Sequence, residues 1–333
     1  MRKIHKSVPV LFAPEPFCVR ETEYVFAKHH NNETIFTVAN GRLGARGFFE
    51  EGFAGRSGID GASDPTTMIN GVYEYHPYRH IWRRPGFPER YHSITPQVNP
   101  FDARVFADGE LCAVTERTEN YSRVLDMRNG AVTRRYDYVT AAGKRVKLTF
   151  ERFADQNDTH LLYQRVSVAG GGARIRIEAA LSHLSGGAKT SKEEIGGEEG
   201  TLFAPEETCV KDGCAFLRYG TLISKFDIAC AVAGKASGLN ERASAGGGRV
   251  EFVYEGGGEV SLTRCAAYYT NADGADYAEK AVETAKAGLS RGYGAALEVN
   301  GEYWNGFWNA ADIHITGDDL ILQGIRYSLF MLN

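Results

Sequence analysis

From Phe17 to about Thr270 the chain alternates short apolar and polar positions, broken by Gly, Asn or Asp. Val132 to Val139 and Arg145 to Phe153 follow period two, the mark of a strand with one buried face. The turn residues Ala141, Ala142, Gly143 and Lys144 between them predict a hairpin. His160 to Val168, Arg174 to Leu181, Phe226 to Ala233 and Arg249 to Tyr254 read as further strands. Residues 186–200, rich in Gly, Lys and Glu, read as an exposed loop. Many short strands with Gly-rich turns predict a large antiparallel β-sandwich.

After Tyr269 the period changes. Ala278, Val282, Ala285 and Leu289 recur at helical spacing, and Gly288 or Gly292 would end that helix. Tyr293, Leu297, Asn300, Trp304, Phe307, Trp308 and Ala311 mark one face of a second helix, weakened by Gly301 and Gly306. Thr316 and Asp319 have capping-box spacing, with Asp in the Glu position. Behind them Ile321, Ile325, Leu329 and Leu332 line one side of a third helix. Its run of Leu329, Phe330, Met331 and Leu332 asks for a cover, so this helix is expected to open a further, mostly helical domain.

Composition narrows the function classes. Of 333 residues, 43% are hydrophobic and 24% charged, which suits a soluble globular protein with a sizeable core. A net charge of −4 offers neither a nucleic-acid footprint nor attraction to an anionic membrane surface. The cysteines, Cys18, Cys112, Cys209, Cys214, Cys230 and Cys265, have no zinc spacing and read as incidental thiols. The basic N-terminus is followed by an apolar run broken at Pro9, too short for a signal segment. No run approaches the ~20 residues of a membrane span. A cytoplasmic protein without metal is expected.

Five segments in order carry a family resemblance. Glu33 leads through Asn40, Gly41, Gly44, Arg46 and Gly47 to Glu50, Glu51 and Gly52. Asn70, Gly71 and Tyr73 follow. Next come Tyr121, Arg123, Leu125, Asp126, Arg128 and Gly130. Glu151, Arg152 and Phe153 precede Asp158 and His160. Last are Trp304 to Trp308, then Asp312, Gly317 and Asp318, then Gln323, Arg326 and Phe330. In this order the chain resembles glycoside hydrolase family 65, the phosphorylases of maltose, kojibiose, nigerose or trehalose. Ala154 and Asp155 depart from the family's usual Ser at a strand end, with no functional consequence expected.

The resemblance implies an N-terminal super-β-sandwich over about residues 1–270, a helical linker over 271–312, and the first helix of an (α/α)6 barrel over 313–333. It also implies an inverting reaction. A barrel glutamic acid protonates the glycosidic oxygen while inorganic phosphate attacks the anomeric carbon from the opposite face. The products are β-glucose 1-phosphate and free sugar, with phosphate as co-substrate and no other cofactor. The resemblance puts that Glu and the phosphate-binding residues after Asn333, so no catalytic residue is assigned here, and the chain alone is expected to be inactive. It leaves open a hydrolysing member, a stand-alone carbohydrate-binding or structural module, and homodimerisation of the full-length enzyme.

Asn40 to Gly47 lacks the spacing of a phosphate loop and reads as a glycine turn. Arg46 is expected to pair with Glu50 or Glu51. Glu33, Glu50, Glu51, Asp126 and Glu151 are carboxylates with no catalytic role assigned. The segment from His76 to Arg84, with Tyr91, His92 and Phe101 nearby, offers Tyr78 and Trp82 as sugar-binding candidates, or else a packed loop. Arg326 and Phe330 are the other two substrate-binding candidates, although Arg326 could equally pair with Asp318 or Asp319. Trp304, Phe307 and Trp308 are expected to pack the linker against the sandwich.

Overall fold

The computed structural model describes residues 12–52, 63, 65–77, 85–86, 88–115, 117–182 and 203–333. The segments 78–84 and 186–200 singled out above lie outside these residues.

The strands in chain order are β1 Cys18–Glu21, β2 Val38–Ala39, β3 Leu43–Ala45, β4 Thr67–Pro77, β5 Arg90–Gln97, β6 Ala103–Ala107, β7 Glu110–Leu111 and β8 Thr118–Asp126. They continue as β9 Ala131–Val139, β10 Arg145–Ala154, β11 Leu161–Ser182, β12 Phe203–Lys211, β13 Cys214–Thr221, β14 Asp227–Gly246 and β15 Arg249–Thr270. Helix α1, His29–Ile35, precedes most of them, and α2 Tyr277–Arg291, α3 Tyr293–Ala311 and α4 Asp319–Leu332 follow them.

Eleven strands form one antiparallel sheet with the main order β1-β8-β9-β10-β11-β15-β14-β13-β12, and β2 to β5 form a second sheet of four. The predicted β9–β10 hairpin is present, with Arg145 opposite Val139 and Arg152 opposite Val132. One pair of predicted strands is joined. His160 to Val168 and Arg174 to Leu181 belong to the single β11, with a bulge between Ala169 and Arg174. A bulge shifts the alternation by one residue, so its glycines look like a turn in the sequence. Likewise β14 and β15 run well past the segments read from the pattern.

The large sheet buries both faces. Alternate residues, Leu148, Phe150, Leu162, Val166 and Leu262, enter the core between the two sheets together with Phe36, Val38 and Leu43. On the outer face Phe153, Leu161, Tyr163, Ala231 and Cys265 meet Ala281, Val282, Ala285 and Tyr293 of α2 and α3. The contact is close because Gly288 faces the sheet: a Cβ there would collide with Cys265 Sγ and stand 3.1 Å from Leu161 Cδ1. Gly292, not Gly288, ends α2.

Helix α3 continues through Gly301 and Gly306 because tertiary packing outweighs their propensity cost of roughly 1 kcal/mol each. Trp304 is 1% exposed, and Trp308 Nε1 donates to the Met127 carbonyl at 2.7 Å. Trp304 and Trp308 therefore seat α3 on the sheets, the packing expected of these aromatics. The N-cap of α4 is Asp318, whose carboxylate accepts from Ile321 N at 3.0 Å, rather than Thr316. Its buried residues are Leu322, Gln323, Arg326 and Phe330. The apolar spacing predicted a different face: Ile321 and Leu332 are 52% and 84% exposed. Polar Gln323 and Arg326 are inside because they satisfy backbone carbonyls of the N-terminal segment, Cys18 at 2.7 Å and Pro16 at 3.1 Å.

Candidate functional site

The residues of the sequence motifs meet in the core between the sheets. Arg123, Arg134 and Arg152 stand on adjacent strands β8, β9 and β10, each in phase with the inward apolar residues. Ions placed there need partners. Arg134 donates to Glu51 at 2.6 Å and to Glu50 at 2.7 Å. Arg152 lies 3.7 Å from Glu50 and donates to the Phe48 carbonyl at 2.9 Å. Arg123 pairs with Glu21 at 2.8 Å and donates to the Gly47 carbonyl. Arg46 reaches Glu33 at 3.5 Å, so its partner is neither Glu50 nor Glu51, which are held by Arg134. Rings of Phe36, Phe49 and Phe48 cover the guanidinium planes at 4.2, 4.1 and 4.7 Å.

Four carboxylates thus meet four guanidinium groups. Burial pushes the Glu50 carboxyl up, but Arg152 and Arg134 together hold it below the usual carboxylate range. Burial likewise depresses Arg134, and Glu51 and Glu50 raise it well above its ordinary value. A carboxylate kept ionised in this way cannot donate a proton to a leaving group at neutral pH. The cluster positions the turn from Ala45 to Glu51. Ahead of it, between β2 and β3, Gly41 takes a φ of +78°; within the turn Gly47 is small for a different reason, since a Cβ would stand 2.7 Å from Phe36 Cβ. Of the other carboxylates, Glu151 is paired with Arg165 at 2.6 Å, and Asp126 accepts from Arg128 N at 2.9 Å.

An open cleft of about 400 Å³ lies where the sandwich, α3 and the segment before α4 meet. It is lined by Phe17, Arg128, Asn305, Trp308, Asn309, Asp312 and His314. Phe17 carries the Arg128 guanidinium at 4.5 Å and that of Arg326 at 4.0 Å, with its edge against Trp308. Asp312 accepts from Arg326 Nε at 2.7 Å and Nη2 at 2.8 Å. That hydrogen bonding holds its carboxyl below the ordinary value, so it presents an acceptor and not a proton. Arg128, Asn305, Asn309 and His314 supply exposed polar groups. Such a cleft can bind a polar molecule; His314 Nε2 stands 3.8 Å from Asp312 Oδ2, a carboxylate already held by Arg326.

Arg326 and Phe330 sit at the back of this junction, 4% and 5% exposed. The ion pair is the role the structure gives Arg326, with Asp312 in place of Asp318 or Asp319. Phe330 stacks on Trp304 at 4.5 Å. Tyr78 and Trp82 lie outside the described residues. The hairpin that leads to them, β4–β5, packs Tyr73 on His92 at 4.9 Å with Tyr75 edge-on. The arginine cluster was not read from the sequence. Its signal was parity: Arg134 falls between Val132 and Tyr136, and Arg152 after Phe150, all on the buried phase.

Comparison with known proteins gives the following. The model of the glycosyl hydrolase family 65 N-terminal domain matches residues 19–307. The α,α-trehalose phosphorylase of Thermoanaerobacter brockii is 28% identical over 98% of this chain and 44% of its own length. The maltose phosphorylase of Bacillus subtilis is 26% identical over 92% of this chain and 41% of its own. The kojibiose phosphorylase of Caldanaerobacter subterraneus is 24% identical over 99% of this chain and 42% of its own. The chain therefore spans under half the length of these relatives. A solved structure provisionally named a kojibiose phosphorylase, from the human microbiome, superposes with a TM-score of 0.82 at 23% identity, covering 96% of this chain and 42% of that one. At that identity the likeness speaks for the fold.

Proposed function

Since the chain belongs to glycosyl hydrolase family 65, we propose that it is the N-terminal portion of an inverting α-disaccharide phosphorylase, converting disaccharide and phosphate to β-glucose 1-phosphate and free sugar. The observation that carries this reading is the match over residues 19–307, joined to relatives that are phosphorylases of three disaccharides. The buried carboxylates support it from the other side. Glu50 is locked between Arg134 and Arg152 and held below its ordinary pKa, which unfits it as a proton donor. The acid, the phosphate site and the (α/α)6 barrel then belong to the part of the relatives' length that this chain does not span.

In this reading α4 is the first helix of the barrel, and its exposed Ile321, Met331 and Leu332 face the rest of that domain. Tyr78 and Trp82 border the sugar site from the sandwich side. Phosphate is co-substrate, with no further cofactor. All six cysteines are free, which fits a reducing, cytoplasmic setting, and no helix is long and apolar enough to cross a membrane among the described residues.

The test is direct. The purified chain, given phosphate and each of maltose, kojibiose, nigerose and trehalose, is expected to release no β-glucose 1-phosphate, while a full-length protein carrying this sequence releases it from one of them. Product from the purified chain, or glucose without glucose 1-phosphate from the full-length protein, would overturn the reading.

A further inference from the structure

The outer face of the large sheet is only partly covered by α2 and α3. Beyond their edge two shallow clefts of about 320 and 460 Å³ lie side by side on the sheet, their floors adjoining where Arg135 of one pairs in register with Thr149 of the other. The floor of this groove is one row of side chains in direct register across six strands. Ser122 on β8 lies opposite Arg135 on β9, Arg135 opposite Thr149 on β10, and Thr149 opposite Ser167 on β11. Ser167 in turn faces Ser261 on β15, and Ser261 faces Ser237 on β14. At the inter-strand spacing the row repeats every ~4.8 Å and spans roughly 24 Å.

One wall is built by the helical layer. Leu297 of α3 lines the groove, and Tyr293 lies over the Arg165 guanidinium at 4.3 Å, which is itself paired with Glu151. The opposite side carries Lys147 and Glu259. The hydroxyls of Thr149, Ser167 and Ser261 make no hydrogen bond among the described residues, so they are available to a ligand.

We propose that this groove binds a linear neutral oligosaccharide along the row. The inference rests on the carbohydrate-enzyme reading above and adds a second, non-catalytic saccharide site to it. Three features select the ligand. Hydroxyls both donate and accept, as sugar hydroxyls do. Positive and negative side chains alternate along the groove, Arg20 and Arg135 with Asp126 and Lys147 with Glu259, so no field draws a polyanion. The four central floor strands, β9, β10, β11 and β15, are paired on both backbone edges at the row, so a peptide finds no edge to extend beside Thr149, Ser167 and Ser261. The repeat along the row is close to the length of one hexopyranose.

Titration of the purified chain with maltohexaose and with cellohexaose, followed by calorimetry and by NMR of the protein, tests the proposal. Saturable binding of either sugar is expected. Replacing Thr149→Val, Ser167→Ala and Ser261→Ala together should weaken it about tenfold or more, with unchanged circular dichroism. Ser167→Trp, which fills the groove, should abolish it. No saturable binding of either sugar, or equal binding by the folded triple variant, overturns the proposal. The same triple change in the full-length enzyme should leave phosphorolysis of its disaccharide intact. Failure of sugar binding therefore sinks the groove, whereas failure of full-length phosphorolysis sinks the catalytic reading.

Discussion

Replacing Arg134 by Met should remove the centre of the buried charge cluster at almost constant side-chain length. Arg134 is 2% exposed and is held by both Glu50 and Glu51. Without it Glu51 keeps the Tyr136 hydroxyl at 3.1 Å, and Glu50 keeps Arg152 at 3.7 Å. Two carboxylates then share one distant cation in the core. Breaking a buried pair by removing one partner costs about 3–5 kcal/mol, a large part of the ~5–15 kcal/mol that holds an ordinary domain folded. The sign with pH follows from the partners. In the parent chain the folded Glu50 carboxyl lies below its ordinary value. Its contribution is therefore complete above the unfolded pKa of ~4.3 and is lost as pH falls through the folded value. In the variant Glu50 loses its nearer cation and its folded pKa rises, so folding binds a proton and stability falls as pH increases. The deficit should be largest at pH 7 to 8 and shrink toward pH 5. Urea unfolding followed by tryptophan fluorescence at pH 5, 6, 7 and 8 measures it. Adding Glu50→Gln and Glu51→Gln to the Met variant should recover most of the loss. A deficit under ~1 kcal/mol, or one that does not change with pH, would refute the claim that the cluster is ionised and mutually neutralising.

Exchanging Ile321 and Leu332 for Ser should reduce self-association in analytical ultracentrifugation and change stability by only ~0.5 kcal/mol, since both side chains are exposed. Deleting α4 instead should lower the melting temperature, because it uncovers Trp304 and leaves Asp312 without Arg326. In the full-length enzyme Trp82→Ala should lower kcat/KM about fivefold with a nearly unchanged melting temperature. A large fall in melting temperature with unchanged kinetics would make Trp82 a packing residue.

The sandwich was legible because period-two alternation survives wherever one face of a strand is buried and the other is wetted. Alternation is lost where both faces are buried, as at Leu161, Leu162 and Tyr163, which feed two different cores, yet the run His160 to Val168 still read as a strand and is one. Strand lengths were underestimated at β11 because its bulge mimics a turn. Helix α4 was found, but its buried face was misread, since Gln323 and Arg326 are inside for their hydrogen bonds and not for their polarity. The arginine cluster went unseen because pairing between distant segments, such as Arg134 with Glu51, leaves no local pattern. Motif resemblance located Glu33, Arg46, Glu50, Glu51, Arg123 and Arg152, but neither Arg134 nor Glu21, and gave none of their physics.

Strands β11 and β15 are each 22 residues long, and they pair along nearly their whole length. Odd and even positions of this one ribbon complete the inter-sheet core and the core beneath α2 and α3. Neither core can lose its wall while the other keeps it. Melting should therefore be cooperative across both layers, and the two helices should not peel away as a separate, less stable unit. An inserted partner or a mutation that loosens α2 would be felt in the inter-sheet core, through a shared backbone and not through any relay of side chains.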